Sequence, residues 1–199
     1  MAESPLLKII EHPANRYAPS ISANVTAADL TVAIAIDFTT RGEQCAKQIA
    51  VERYFPILLD GDAVDAARLL YREVKARRAG ILNITGNESF TLAPLRVWTQ
   101  DCLNEWVGVL IGKVHQYLPL AGIRSCGQSG IESAAAAAGV ALGLPVTMLL
   151  PRGLLRRTPH GDRRCYEHGD RRCYEHELRQ EIEDGAATLR PILESYGIK

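Results

Sequence analysis

The sequence lacks a net charge, because 23 lysine and arginine residues balance 23 aspartate and glutamate residues. Proteins that bind nucleic acid or an anionic membrane through their overall electrostatic field carry an excess of basic residues. We therefore expect neither partner here. The first five residues also lack the basic-then-apolar pattern of a secretory signal, so we expect a cytoplasmic protein.

Cysteine is scarce and odd in number, since the chain has five. Five thiols without an export signal indicate free cysteines rather than a disulfide framework. A long hydrophobic run is also missing. The longest uncharged stretch, residues 133–151, is divided by Gly143 and Pro145 into a helix and a short strand, so we predict no membrane segment.

An eight-residue segment, 160–167, recurs without change at 168–175. The copy places Cys165, His168, Cys173 and His176 at a regular spacing that resembles the spacing of zinc ligands. Because this spacing exists only through the duplication, we predict no metal site. The unit is also too short for a stacked repeat architecture, which needs longer units and more copies.

Most of the chain alternates strand-like and helix-like segments. Residues 29–36 form a nearly continuous apolar and β-branched run, which is typical of a strand buried on both faces of a parallel sheet. Further strands are expected at 54–59, 79–85, 122–125 and 145–150, with helical patterns between them. This alternation predicts one α/β domain over residues 1–199, a Rossmann-like parallel sheet of about five or more strands with helices on both faces.

The segments outside this alternation carry weaker signals. Residues 1–23 contain three prolines and predict an irregular N-terminal arm, and residues 154–177 predict a basic loop that includes the duplication. The remaining residues predict a terminal helix pair or a helix broken at Pro191. The apolar region 95–120 is too long for one helix to bury within a monomer, so we expect a homo-oligomer.

Ligands of such sheets bind beyond the carboxyl ends of the strands, and four strand ends here carry turn residues. The clearest is the turn 126–130, where Gly127 and Gly130 permit positive φ and let backbone amides approach a phosphate. A GxxG turn also serves simply to connect a strand with a helix, so both interpretations stay open.

The candidate ligand-binding residues lie at the four strand ends: Thr39, Thr40 and Gly42; Gly86, Asn87 and Ser89; Gly127, Gln128, Ser129, Gly130 and Glu132; and Arg152. Asn87 or Ser89 can instead cap a helix, and Thr39 can belong to a polar loop. Arg156 and Arg157 can bind phosphate or be solvated.

Two acidic residues and one cysteine stand near the expected helix starts. Glu43 and Glu132 each fall in a first helical turn, where the dipole favours a carboxylate. A carboxylate there can also hold a ribose or pterin hydroxyl or act as a general acid or base, although for Glu43 we prefer the dipole explanation alone. The Cys126 thiol precedes a helix, where its pKa can be lowered. No histidine stands beside it in the sequence, and we assign no catalytic residue.

The turn motifs resemble those of the molybdenum-cofactor carrier family. Residues 123–132, followed by Gly-Leu-Pro at 143–145 and Pro-Arg-Gly at 151–153, resemble its GGQTGxD, GxP and PKG motifs. Residues 24–32, 39–42 and 81–89 resemble its NVxDSDAT, GT and LNVAGPRES motifs. In the carriers the second set follows the first, whereas here it precedes it, so the chain resembles a circularly permuted carrier. Four positions depart from the motifs: Cys126 for glycine, Glu132 for aspartate, Ser133 for arginine and Arg152 for lysine.

The resemblance implies a protein that carries or sequesters a phosphorylated pterin- or nucleotide-like ligand, such as a molybdopterin-type cofactor. It also implies an oligomer, and we expect binding rather than catalysis. Two alternatives stay open. One is a nucleotide N-glycosidase like the related LOG proteins, although residues 40–43 are at best a fragment of their PGGxGTxxE motif. The other is a sensor or sponge for nucleotide-derived defence signals.

Overall fold

The structure is a computed structural model that describes residues 6–157 and 170–198 of the chain. The strands are β1 (Leu7–Glu11), β2 (Leu30–Ala35), β3 (Tyr54–Leu58), β4 (Ile81–Gly86), β5 (Gly122–Ser125), β6 (Val146–Leu150), β7 (Leu155–Arg157) and β8 (Asp170–Arg172). The helices are α1 (Tyr17–Thr26), α2 (Arg41–Ala50), α3 (Ala63–Arg77), α4 (Ser89–Leu92), α5 (Gln100–Tyr117), α6 (Ile131–Ala141) and α7 (Glu175–Ser195).

Strands β1 to β6 form one parallel sheet in the order β1-β6-β5-β4-β2-β3. Neighbouring residues of a strand point to opposite faces. All six residues of β2 are buried, so helices cover both faces of the sheet there. The predicted Rossmann-like parallel α/β fold is therefore confirmed, with six strands in the sheet of the described residues.

Close packing of α6 on the sheet fixes the helix start near the carboxyl edge. The alanine run 134–138 is buried throughout, and such small side chains let the helix backbone approach the strands. A Cβ added at Gly139 would lie 2.4 Å from Cγ2 of Val146, so even a methyl group is excluded there. The strand-to-helix connection 126–130 is consequently held in one place.

The prediction of an irregular arm over residues 1–23 is wrong, because these residues contain β1 and most of α1. Strand β1 pairs with β6 in register from Leu7 opposite Val146 to Glu11 opposite Leu150. Pro19 suggested irregular structure, but it lies in the first turn of α1. A backbone N–H in the first turn has no acceptor within the helix, so proline breaks no helical hydrogen bond there.

Helix α1 is also tied to the sheet by a buried side chain. The Nδ2 of Asn24 lies 3.0 Å from the carbonyl oxygen of Ser125 and 3.1 Å from that of Leu149. These contacts hold the N-terminal segment over the carboxyl ends of β5 and β6, so it contributes a wall to the site described below.

The apolar region 95–120 is buried within the chain. Helix α5 packs against α3, α6 and α7, and a Cβ at Gly108 would lie 2.7 Å from Leu189 of α7. Its length therefore gives no reason for a partner chain, and the homo-oligomer stays a prediction. In the described part of the chain, no helix has the length and apolar character needed to span a membrane.

The C-terminal segment folds back on the domain. Strands β7 and β8 form an antiparallel pair, and α7 continues through Pro191 as one helix rather than ending there. Arg156 is buried, and its guanidinium donates to both carboxylate oxygens of Glu181 at 2.7 and 2.9 Å and to Ser133 at 2.6 Å. Because Glu181 and Ser133 already bind the guanidinium, Arg156 is not available to bind a phosphate. Most of the duplication, with Cys165 and His168, lies outside the described residues.

Candidate functional site

A cavity of about 350 Å³ opens at the carboxyl edge of the sheet, beside the ends of β2, β4 and β5. Helix α1 forms one wall, and the first turn of α2 forms another. Five of the candidate residues line it: Thr40, Gly42, Gly86, Gln128 and Glu132. The structure therefore brings residues from three of the four predicted strand ends into one site.

The backbone amides of the glycine turn already have partners within the protein. Gly127 N–H donates to Oγ of Ser125 at 3.3 Å, and Gln128 N–H donates to Oε2 of Glu132 at 3.0 Å. Gly130 N–H donates to Oε1 of Gln100 at 2.9 Å. These three amides are thus not free for a phosphate, and the turn serves mainly to position Gln128 and Glu132.

Close packing explains both glycines of this turn. Gly127 and Gly130 have φ of +69° and +95°. A Cβ at Gly127 would lie 2.7 Å from Cε of Met148, and one at Gly130 would lie 2.7 Å from the carbonyl oxygen of Asn87. The glycine requirement therefore follows from conformation and close contact, without any ligand.

Asn87 and Thr39 stabilise the loop after β2 rather than lining the cavity. Oδ1 of Asn87 accepts hydrogen bonds from the amides of Ile36 and Asp37, at 2.8 and 2.9 Å, and its Nδ2 donates to the Asp37 carbonyl. Thr39 donates from its amide and hydroxyl to Asp37 Oδ1, at 2.7 and 2.6 Å. These bonds lower the pKa of Asp37 and fix the approach to α2.

Like Asn87 and Thr39, three further candidates do not line the cavity: Ser89, Ser129 and Arg152. The amide of Ser89 donates to the Ser129 carbonyl at 3.1 Å, which joins the loop after β4 to the glycine turn. Arg152 is exposed, and its amide donates to the Ala14 carbonyl at 2.9 Å.

The first turn of α2 is the part of the cavity wall whose backbone amides can donate hydrogen bonds to a ligand. Thr40 is the N-cap, and its hydroxyl accepts from the Glu43 amide. The amides of Arg41 and Gly42 have no acceptor within a helix that begins there. A Cβ built on Gly42 meets nothing within 4 Å, so the space beside these amides is open. The helix dipole adds partial positive charge at this point.

Two buried carboxyl groups meet inside the cavity wall through one hydroxyl. Glu43 and Glu132 are only 2% and 5% exposed. Oγ1 of Thr85 lies 3.3 Å from Oε1 of each. Burial raises the pKa of Glu43 to about 7 and that of Glu132 to about 8. Repulsion by Glu88 adds to the first shift, and repulsion by Glu43 and Glu88 adds to the second.

The hydrogen count of this group indicates a shared proton. A threonine hydroxyl has one hydrogen and can donate to only one carboxylate. If both contacts are hydrogen bonds, the other carboxyl group must be protonated and donate to Thr85. Burial raises the pKa of both groups, so one of the two carboxyl groups can hold this proton near neutral pH while the other accepts from Thr85.

The second oxygen of Glu43 is an unsatisfied acceptor. Its Oε2 is buried and has no hydrogen-bond partner among the described residues. Glu88 also lines the cavity. Among the described residues, three carboxyl groups therefore line it against one cation, the exposed Arg41. The wall near Glu43 therefore favours a ligand group that donates hydrogen bonds.

Cys126 is a buried thiol rather than a reactive one. It is 5% exposed, and its Sγ accepts a hydrogen bond from Asn24 Nδ2 at 3.2 Å. Burial, followed by the charge of Glu132, raises its pKa well above the usual value. The lowering that its place before a helix suggested is therefore wrong, because burial exceeds the effect of the dipole.

The sequence interpretation missed several wall residues: Tyr17, Ile21, Glu43, Thr85 and Glu88. Tyr17 and Ile21 belong to the helix hidden by the proline-rich N-terminus. Glu43 carried a signal, its place in a first helical turn, but the helix dipole alone explained it. Among the described residues, no group of three or more histidine, cysteine, aspartate or glutamate side chains can hold a metal ion.

No protein-family model matches the chain, and no curated protein does. The resemblance to the molybdenum-cofactor carriers thus stays a prediction that depends on the motifs quoted above.

Proposed function

We propose that the chain binds a phosphorylated small molecule of the pterin or nucleotide class in this cavity and carries or sequesters it. The observation that carries the proposal is the presence of two kinds of unsatisfied group in one cavity. The first turn of α2 offers the amides of Arg41 and Gly42, and Glu43 offers a buried acceptor. A ligand with a phosphate at one end and donors at the other satisfies both.

The size of the cavity supports a compact ligand. Small-molecule sites in proteins span roughly 300 to 1,000 Å³. At about 350 Å³ the cavity is near the lower limit, which suits a mononucleotide or a single pterin phosphate better than a dinucleotide.

The charges of the wall support one orientation. A phosphate beside Glu43 and Glu132 would face carboxyl groups, which repel it in a site of low dielectric. The first turn of α2 instead presents amides, a helix dipole and the nearby Arg41. We therefore place the phosphate at this turn and the donor-rich end of the ligand at Glu43.

The variant Gly42→Glu tests this assignment, because it adds an anion where the phosphate is proposed to bind. The position has open space, so the fold should persist, and affinity for nucleoside monophosphates and pterin phosphates should fall at least tenfold in calorimetric titration. Gly61→Glu is the matched control, because its Cβ also meets nothing within 4 Å and Gly61 lies outside this cavity. Equal binding by both variants, or no binding of any compound by the unaltered chain, contradicts the proposal.

Hydrolysis of a bound nucleotide is a second candidate, favoured by the carboxyl pair. One protonated and one ionised carboxyl group provide a general acid and a general base, and their Oε1 atoms lie at most twice 3.3 Å apart. In this reaction water attacks the anomeric carbon and loses a proton to Glu43. The bond from carbon to the base nitrogen breaks, and Glu132 protonates the leaving base.

Chromatography of nucleoside monophosphates incubated with the chain separates carrying from hydrolysis. Hydrolysis predicts release of free base that is lost in Glu132→Gln and retained in the exposed-site control Glu194→Gln. Carrying predicts that the bound nucleotide is recovered intact.

A further inference from the structure

We infer that Glu43 recognises the ligand through two adjacent donors, an N–H and an NH₂ group, as presented by the edge of a guanine ring. This inference rests on the proposed function and adds to it the ligand edge that is recognised, which guanine shares with the 2-amino-4-oxo ring of a pterin, and the residue that reads it. It concerns the carrying function, in which Glu43 faces the heterocycle rather than the sugar.

The first support is the unsatisfied oxygen of Glu43. Oε2 is buried without a partner among the described residues, while Oε1 accepts from Thr85 at 3.3 Å and keeps a second lone pair. A carboxylate with both oxygens able to accept fits two parallel donors side by side. Leaving such an acceptor buried and unpaired is costly, so a donor-bearing ligand gains by filling it.

The second support is the charge of the surroundings. Glu43 faces Glu132 through Thr85, Glu88 across the cavity wall, and the hydroxyl of Tyr54 on β3, whose pKa is raised to about 12 by burial and then by Glu43 itself. Among the described residues that line the cavity, Arg41 is the one cation, and it is exposed. A ligand edge that presents an acceptor here is repelled, whereas one that presents only donors is attracted.

These requirements discriminate among the bases. Adenine and cytosine place a ring acceptor beside their amino group, and uracil places its N–H between two carbonyl oxygens. Hypoxanthine has the N–H but no amino group. Guanine alone among these bases offers an N–H beside an NH₂ group, which both carboxylate oxygens can accept at once.

Titration of the full chain with guanosine monophosphate and inosine monophosphate tests the inference, because the two differ only in the 2-amino group. We expect guanosine monophosphate to bind at least about tenfold more tightly, as a hydrogen bond to a charged group is worth that factor or more. In Glu43→Gln the preference should disappear, and in Glu194→Gln, an exposed position on α7, it should persist.

The outcomes separate the two proposals. Equal affinity for both nucleotides overturns the role of Glu43 but leaves a phosphate-binding cavity. No binding of either nucleotide, or of any other phosphorylated pterin or nucleotide, overturns the proposed function and this inference with it. If Glu43→Gln does not fold, the comparison of the two nucleotides on the unaltered chain still decides.

Discussion

Replacement of Gly86 by alanine is expected to destabilise the protein by more than about 3 kcal/mol, or to prevent folding. The added Cβ would lie 2.1 Å from the carbonyl oxygen of Ile34 and 2.7 Å from Cγ2 of Ile131. The first contact is with backbone held in register by pairing of β2 with β4. Neither β2 nor β4 can move away from the added methyl group without breaking the hydrogen bonds between the two strands. Ile131 of α6 blocks a shift of the methyl group to the other side.

Urea unfolding followed by circular dichroism measures this effect, and Gly42→Ala is the matched control. A Cβ at Gly42 meets nothing within 4 Å, and alanine favours the helix in which the residue lies. The control should therefore be at least as stable as the unaltered chain. A Gly86→Ala variant with unaltered stability would show that β2, β4 and α6 do not meet as described.

The unliganded protein is expected to lose on the order of 6 kcal/mol of stability as the pH rises from about 5 to 8. The pKa values of Glu43 and Glu132, about 7 and 8 in the folded chain, exceed the ordinary value of 4.5. Between these values the folded state binds more protons than the unfolded state. Stability from these groups is therefore fully present below about pH 4.5 and is lost as the pH rises through 7 and 8.

Comparison of unfolding free energies of the unaltered chain and Glu132→Gln isolates this effect from other titrating groups. Among these, His115 has a pKa lowered by burial and contributes in the opposite direction. The glutamine amide can donate to Thr85 as the protonated carboxyl group does, so the variant should be the more stable of the two at pH 8. Parallel pH profiles for the two proteins would mean that Glu132 is not buried in the folded chain.

The fold could be predicted where its signals are local. The continuous apolar run of β2 and the strand-turn-helix pattern around Gly127 and Gly130 are properties of short segments. Strand β1 could not be found in this way, because it is an edge strand with a charged residue at Lys8 and at Glu11 and depends on β6 for its hydrogen bonds. Prolines on either side of the start of α1 obscured that helix too.

The site could be predicted in position but not in chemistry. The carboxyl ends of parallel strands meet at one edge, which places Thr40, Gly86 and Gln128 together. The Gly130 amide is used by Gln100, which lies 30 positions away in the chain, and no local spacing shows this contact. The link between Glu43 and Glu132 through Thr85 is equally long-range. Because of this link, Glu43 is one of two neighbouring buried carboxyl groups and not only a carboxylate at the start of a helix.

A crystal structure of the chain with guanosine monophosphate bound tests the central claim most directly. It should show the phosphate within hydrogen-bonding distance of the amides of Arg41 and Gly42, and the ligand inside the cavity that Glu43 lines. A phosphate bound instead at the turn of Gly127 and Gly130, or a ligand outside the cavity, would contradict it.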